Sequence, residues 1–241
     1  MTLTAGAFYA RASQMIAQDS GRLAAILVLT YSLPTLTFQL ITLSLGDNTL
    51  ILCLGYVADF TANTLAYCLM AYLLEARLKG KPFSAKDSFR RACGRLLPVF
   101  GTTLLTGLIV GISTLLLIIP GVIALLGLCL TVPACVLEKK ITIDNTLSRS
   151  WELTRNNWLT IAVIYLTVLA IIGLILFGFY KFYYIFGLED AAKMLVMDVF
   201  LLVIISSIFN FMIGVCSIVI YLTLREAKEG HTPEVTAAVF D

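Results

Sequence analysis

The sequence predicts an all-α integral membrane protein with six transmembrane helices. Of the 241 residues, 59% are hydrophobic and only 13% are charged, whereas about a quarter of the residues in a soluble domain are charged. The apolar residues gather into six long runs, and the basic residues fall almost entirely in alternate connecting segments. These observations indicate that most of the surface contacts lipid rather than water.

Each apolar run is long enough to cross the ~30 Å hydrocarbon core as a helix. The third and fourth runs are separated only by Ile119-Pro120-Gly121, and a helix does not continue normally through Pro-Gly. We therefore expect a tight hairpin there rather than one long kinked helix. Inside two other runs, Pro34 and Pro133 predict kinks. The runs are Leu23–Leu45, Leu50–Leu74, Leu97–Ile119, Gly121–Leu137, Leu159–Phe179 and Leu195–Leu224.

The distribution of charge predicts the orientation. Fifteen of the 17 lysines and arginines lie in the N-terminal segment, the second and fourth loops and the C-terminal tail. Only Lys181 and Lys193 lie on the other side. Because basic residues collect in cytoplasmic loops, both termini are predicted to be cytoplasmic.

Three segments that precede a span have basic amphipathic patterns, which predict short helices in the cytoplasmic interface rather than solvated connectors. The third has an apolar stripe formed by Leu147, Trp151, Thr154 and Trp158. With the acidic exits at Glu75, Glu138 and Glu226, these segments suggest three repeated units within one membrane domain, residues 1–75, 82–138 and 143–226. Each unit would contain an amphipathic helix and a two-span hairpin, and the units would be related by an axis along the membrane normal.

One part of the chain is similar to a known family. The matching stretches are Ile118-Ile119-Pro120-Gly121-Val122, Val132-Pro133-Ala134, Leu137-Glu138-Lys139 and Leu147-Ser148-Arg149-Ser150-Trp151. They resemble the YciC family of six-helix bacterial inner-membrane proteins, and also the membrane domain of certain glycerophosphoryl diester phosphodiesterases. The resemblance implies a bacterial inner membrane and a six-helix fold, and it supplies no activity. The phosphodiesterases' catalytic carboxylates and histidines have no counterpart here.

The residues themselves predict no catalytic site, metal site or cofactor. The six cysteines form no C-x-x-C pair, and the single histidine, His231, lies in the polar tail. A membrane hydrolase needs a nucleophile with a base, a carboxylate pair or a metal cluster, and none of these patterns is present. Neither a glycine-rich phosphate loop nor a nucleic-acid partner is indicated.

A polar site is predicted inside the membrane. Asp59 lies about 15 Å into the second span, and Asn63 follows one turn later on the same face. The sixth span carries Asp198, Ser206 and Asn210 on a related stripe. Because a charged aspartate at the bilayer centre costs roughly 3 kcal/mol, Asp59 should face protein or water and have a partner. Its role could be a structural hydrogen bond or a site for a headgroup, a cation or a proton.

Two further patterns concern partners. The second loop is predicted to contact anionic lipid headgroups, although the positive-inside rule alone also accounts for its charge. Its candidate residues are Lys79, Lys81, Lys86, Arg90, Arg91 and Arg95. On the third span, Thr103, Gly107 and Gly111 have the small-residue spacing that lets two helices approach closely. The expected partners are membrane lipids, and the sequence leaves open a membrane-protein partner or a second copy of the chain.

The function expected from the sequence is that of a non-enzymatic inner-membrane accessory, scaffold or envelope-maintenance protein that binds lipid. The alternative is a transporter of small molecules or lipids with a polar site around Asp59. Broken helices around a polar site in the middle of the membrane would favour the transporter. A bundle interior filled with apolar side chains would favour the scaffold.

Overall fold

The computed structural model describes residues 5–45, 49–138, 143–185 and 191–229, and these residues are almost entirely helical. Six helical stretches are long and apolar enough to cross a membrane: Phe8–Thr42, Thr49–Leu78, Ala85–Leu116, Ile118–Leu137, Trp158–Phe179 and Val199–Lys228. The predicted all-α architecture of six spans is confirmed. The helices are α1 (Ala5–Leu27), α2 (Leu33–Leu45), α3 (Thr49–Leu78), α4 (Ala85–Leu116), α5 (Ile118–Leu128), α6 (Thr131–Leu137), α7 (Ile143–Thr154), α8 (Trp158–Ile185) and α9 (Ala191–Glu229).

The first span is irregular at two points. Asp19 has non-helical backbone angles, which kink α1 at that residue. A π-helical turn, Val28–Ser32, then joins α1 to α2. Pro34 is the second residue of α2, one residue after this turn, and it has no N–H to donate to the preceding turn of a helix. The predicted irregularity at Pro34 is thus taken up as a wider turn just before the proline.

The hairpin between the third and fourth spans turns slightly earlier than the sequence suggests. The break is at Leu117, which has extended backbone angles, and Pro120 lies in the first turn of α5, where its missing N–H costs nothing. Gly121 has a specific role here, because a Cβ at this position would lie 2.7 Å from the Cα of Thr114. Only glycine allows α5 to approach α4 this closely at the hairpin.

The fourth span is broken between α5 and α6, and α7 supplies the missing hydrogen bonds. The Leu130 N–H donates to Ser150 Oγ (3.2 Å), and Ser150 Oγ donates to the carbonyl of Gly127 (2.8 Å). Thr154 Oγ1 donates to the same carbonyl (3.2 Å). Backbone groups freed by a break inside a membrane need such partners. Helix α7 is therefore part of the bundle.

The buried face of α7 differs from the predicted stripe. The structure buries Thr154, as predicted, but its other buried residues are Thr146, Ser150, Leu153 and Asn157. Leu147 and Trp158, which the prediction placed on the buried stripe, are only half-buried. The cause is the broken fourth span, which needs hydroxyl groups. Trp151 is 39% exposed, and its ring stacks edge-on against Trp158. The amphipathic segments at residues 5–19 and 85–96 continue directly into their spans, whereas α7 is a separate helix.

The core lies toward one end of the bundle. Between Cys68 and Leu74, six of the seven residues of α3 are buried, and from Gly214 to Leu222 α9 is buried throughout. Toward the other end, apolar residues of α3 and α4 such as Leu54 and Leu115 are exposed to the surroundings of the protein. We call the packed end, where Arg11, Arg77, Arg149 and Glu226 lie, the basic end.

Candidate functional site

A cavity of about 360 Å³ lies between α2, the first half of α3 and α9. Its rim includes Tyr56 and Leu202, which are 77% and 55% exposed. The cavity therefore opens at the side of the bundle, away from the basic end. Its lining combines apolar residues such as Phe38 and Leu52 with polar ones, which are Tyr31, Thr35, Gln39, Thr42, Tyr56, Asp59 and Ser206.

Asp59 is the one carboxylate that lines this cavity among the described residues, and none of the lining residues is basic. Its Oδ1 accepts a hydrogen bond from Thr35 Oγ1 at 2.8 Å. A carboxylate has about four acceptor sites, and among the described residues Thr35 is the one hydrogen-bond partner of Asp59. Asp59 thus lines the cavity with acceptor sites that the described residues do not fill.

A hydrogen-bonded group in which α3 meets α9 adjoins the cavity through Tyr31 and Ser206. Asn63 Nδ2 donates to Asn210 Oδ1 (3.3 Å), and Asn210 Nδ2 donates to Tyr31 Oη (3.1 Å) and to the carbonyl of Ser206 (2.9 Å). About one helical turn after Asn63 on α3, toward the basic end, Tyr67 Oη and Ser217 Oγ are 2.8 Å apart. These polar groups satisfy one another.

The structure brings together four of the five residues predicted for the intramembrane site. Asp59 and Ser206 line the cavity, and Asn63 and Asn210 bind each other beside it, with Asn210 bonded to Tyr31 of the lining. The side chain of Asp198 lies outside the described residues. Tyr31 and Thr35, on the first span, were not predicted, because the sequence gives no register between the first span and the other two.

The basic end is held by ion pairs between the ends of spans and the amphipathic segments. Arg77 forms a two-point contact with the buried Asp19, with Nη2 at 2.7 Å from Oδ1. Arg11 Nη2 lies 2.6 Å from Glu226 Oε2, which joins the two terminal helices. Glu138 accepts hydrogen bonds from Arg149 Nε (3.1 Å) and Tyr221 Oη (2.9 Å).

The six predicted lipid contacts divide into two groups. Lys79 Nζ donates to Glu75 Oε1 (2.7 Å), and Arg95 donates to the carbonyl of Glu138 (2.9 Å) at the end of α6. These two side chains have protein partners. The other four are exposed, and they are Lys81, Lys86, Arg90 and Arg91.

The predicted packing stripe is open in the described structure. A Cβ added at Gly107 or Gly111 would meet no atom within 4 Å, and both glycines are exposed. Thr103 is half-buried. Close approach of a helix to this stripe would therefore need a helix from outside the described chain.

A repeated arginine motif was missed in the sequence. The motif consists of an arginine with an aromatic residue or leucine two residues before it and a small residue directly after it. It occurs three times, in Tyr9-Ala10-Arg11-Ala12, Phe89-Arg90-Arg91-Ala92 and Leu147-Ser148-Arg149-Ser150. In each segment the residue three before the arginine, the one after it and the one eight after it are buried. The signal was available as this short pattern, but it is too brief to recognise without the shared buried face.

Within the described residues, no cluster of three or more histidine, cysteine or acidic side chains could hold a metal ion. The six cysteines are free thiols.

Residues 83–224, more than half of the chain, match the family model of DUF7847, a domain of unknown function. No curated protein matches the chain, and no solved structure matches it.

Proposed function

We propose that this chain, which belongs to the DUF7847 family, is a non-enzymatic accessory protein of a bacterial inner membrane that binds a membrane lipid beside Asp59. The lateral opening of the cavity at Tyr56 and Leu202 carries this proposal. A ligand that enters through the side of a bundle, within the membrane, comes from the bilayer. The volume of about 360 Å³ is within the range of small-molecule sites.

The lining supports a headgroup that donates hydrogen bonds. Asp59 retains acceptor capacity beyond its bond to Thr35, and an acidic side chain inside a membrane needs polar partners. The apolar lining residues Phe38 and Leu52 can pack against the glycerol and the first methylenes of the chains. A lipid whose headgroup carries an ammonium or hydroxyl group satisfies both parts of the lining.

The location in a bacterial inner membrane rests on the resemblance to the YciC family, and the orientation rests on the distribution of charge. Arg11, Arg77 and Arg149 gather at one end, which we assign to the cytoplasm by the positive-inside rule. The cavity then lies in the outer half of the membrane. A cysteine introduced at Ser84 should stay protected from an impermeant thiol reagent added outside, and labelling there would reverse the assignment.

A photo-crosslinking experiment tests the lipid site. A photoreactive residue at Leu202, on the rim of the cavity, is compared with one at Leu104, which is equally exposed (55% and 56%) but on α4. In native-membrane particles, Leu202 should capture one headgroup class in excess of its share of the bulk lipid, whereas Leu104 should capture lipids in their bulk proportions.

The same comparison in the Asp59→Asn variant separates a binding role from a structural one. The asparagine keeps the shape and can still accept from Thr35, so the unfolding temperature should change little while the enrichment at Leu202 disappears. Equal captures at Leu202 and Leu104 in the wild type contradict the lipid site. An Asp59→Asn variant that loses its fold supports a purely structural role for Asp59.

One observation favours the alternative, a lipid transporter. The π-helical turn Val28–Ser32 interrupts the first span beside the cavity, and such interruptions often accompany functional sites in membranes. The packed core between the cavity and the basic end supports the accessory protein instead. Movement of a fluorescent analogue of the captured lipid between leaflets of proteoliposomes would establish the transporter.

A further inference from the structure

The three arginine-bearing segments are used unequally at the basic end. Arg11 and Arg149 each bind the glutamate that ends an inward span, Glu226 and Glu138 respectively. Arg91 occupies the same position relative to its buried face, since Ser88, Ala92 and Val99 are buried as their counterparts are in the other segments. Yet Arg91 is exposed, and it forms no ion pair with the described residues.

The third glutamate has other partners. Glu75 ends the second span, as Glu226 ends the sixth, but its Oε1 lies 2.7 Å from Lys79 Nζ and 3.7 Å from Arg225 Nη1. The carboxylate that Arg91 would be expected to bind is therefore engaged by two other cations. A guanidinium prefers a two-oxygen anion, so the open position favours an anion supplied from outside the bundle.

The surroundings of Arg91 indicate what that anion is. Lys86 and Arg90 are exposed within the same two turns of α4. Beyond Arg91 the outer face of the helix becomes apolar, since Leu97 and Phe100 are 80% and 48% exposed. A helix that changes from exposed basic to exposed apolar residues within three turns enters the bilayer at that point. Arg91 is thus at the depth of the phospholipid phosphates.

We propose that Arg91, supported by Lys86 and Arg90, binds the phosphate of an anionic phospholipid, which takes the place that a protein carboxylate takes at Arg11 and Arg149. This is a second lipid site, at the opposite end of the bundle from Asp59 and with the opposite charge preference. One lipid would then complete the ring of contacts that holds the amphipathic segments to the ends of the spans.

Lipid selectivity in nanodiscs tests the proposal. Spin-labelled phosphatidylglycerol and phosphatidylcholine are compared for their immobilisation by the wild type, by Arg91→Ala and by Arg155→Ala, which removes another exposed arginine near the basic end. The preference for phosphatidylglycerol should fall about five-fold in Arg91→Ala, which corresponds to the ~1 kcal/mol of one basic residue at an anionic surface. Arg155→Ala should leave it within about two-fold, because that residue only adds to the general field.

Two further variants keep the result specific. Arg91→Lys preserves the charge but not the fork of donors, and it should recover only part of the preference. Removal of the nearby carboxylate in Asp87→Asn should raise the preference. Equal losses in Arg91→Ala and Arg155→Ala, or no loss in either, overturn the proposal. So does a double-mutant coupling between Arg91 and Glu75 as strong as that between Arg11 and Glu226, because the third pair would then close within the protein.

Discussion

The two halves of helix α3 have different surroundings. Near its beginning, Leu50, Leu54 and Tyr56 are 73%, 68% and 77% exposed, and α2 and α9 border the cavity there. Near its end, Leu73 and Leu74 are completely buried, and the surrounding helices are joined by ion pairs. One continuous helix thus lines an open polar cleft in one half and a packed core in the other.

This difference follows from the solvent. Lipid chains are as apolar as leucine, so burial of leucine against another helix gains little from the hydrophobic effect within a bilayer. Helices come together there where packing is close or where polar groups bind across the interface. At the basic end, ion pairs such as Arg77–Asp19 and Arg11–Glu226 close the bundle, whereas the cavity half has a few hydroxyl and amide contacts.

The largest contrast is expected between leucines at the two ends of α3. Leu73→Ala should reduce the free energy of unfolding by about 2–5 kcal/mol, because the cavity left in a packed core cannot be filled. Leu54→Ala should cost much less, since lipid replaces the lost methylenes. Unfolding in mixed micelles measures both, and equal losses would mean that the cavity half is as tightly packed as the basic end.

A smaller contrast is expected between two glycines. A Cβ at Gly127 would lie 2.3 Å from the Trp151 ring, whereas at Gly107 it would meet nothing within 4 Å. Gly127→Ala should therefore cost about 1–3 kcal/mol through overpacking, and Gly107→Ala should leave the unfolding temperature unchanged. If Gly107→Ala lowers the unfolding temperature of the protein in membranes but not in micelles, where the chains are separated, a second chain packs on that face.

The smallest effect is expected in the cavity half. Ser32 Oγ and Ser207 Oγ are 2.8 Å apart and join the first span to the sixth. A double-mutant cycle with Ser32→Ala and Ser207→Ala should give a coupling of about 0.6 kcal/mol, the average for such bonds in membranes. A coupling several times larger would indicate that the cavity half depends on this contact as the basic end depends on its ion pairs.

The number and order of the spans could be predicted from the sequence, because length and apolar composition alone decide whether a helix can cross a bilayer. The contact between Asn63 and Asn210 was within reach for a similar reason. They lie on the second and sixth spans, which cross the membrane in the same direction, and polar side chains in lipid bind one another.

The register between neighbouring helices could not be predicted. The hydroxyl of Ser150 reads as a polar surface residue on an amphipathic helix, yet it is fully buried against the break at Gly127 and Leu130. The sequence contains no sign of that break beyond Pro133. Likewise Thr35 reaches Asp59 only because the π-helical turn sets the rotation of α2, and a turn of this kind has no pattern of its own.

The dependence of the fourth span on α7 also bears on how the chain is made. Leu130 is synthesised 20 residues before Ser150, and Gly127 is synthesised 23 residues before it. Until α7 emerges, the Leu130 amide and the Gly127 carbonyl lack the hydroxyl partners that they have in the folded protein, and an unsatisfied group in hydrocarbon costs several kcal/mol. The hairpin of α4 with α5 and α6 is therefore incomplete as an insertion unit. It reaches its final position in the bilayer only after α7 has been made and its hydroxyl groups have bound the break.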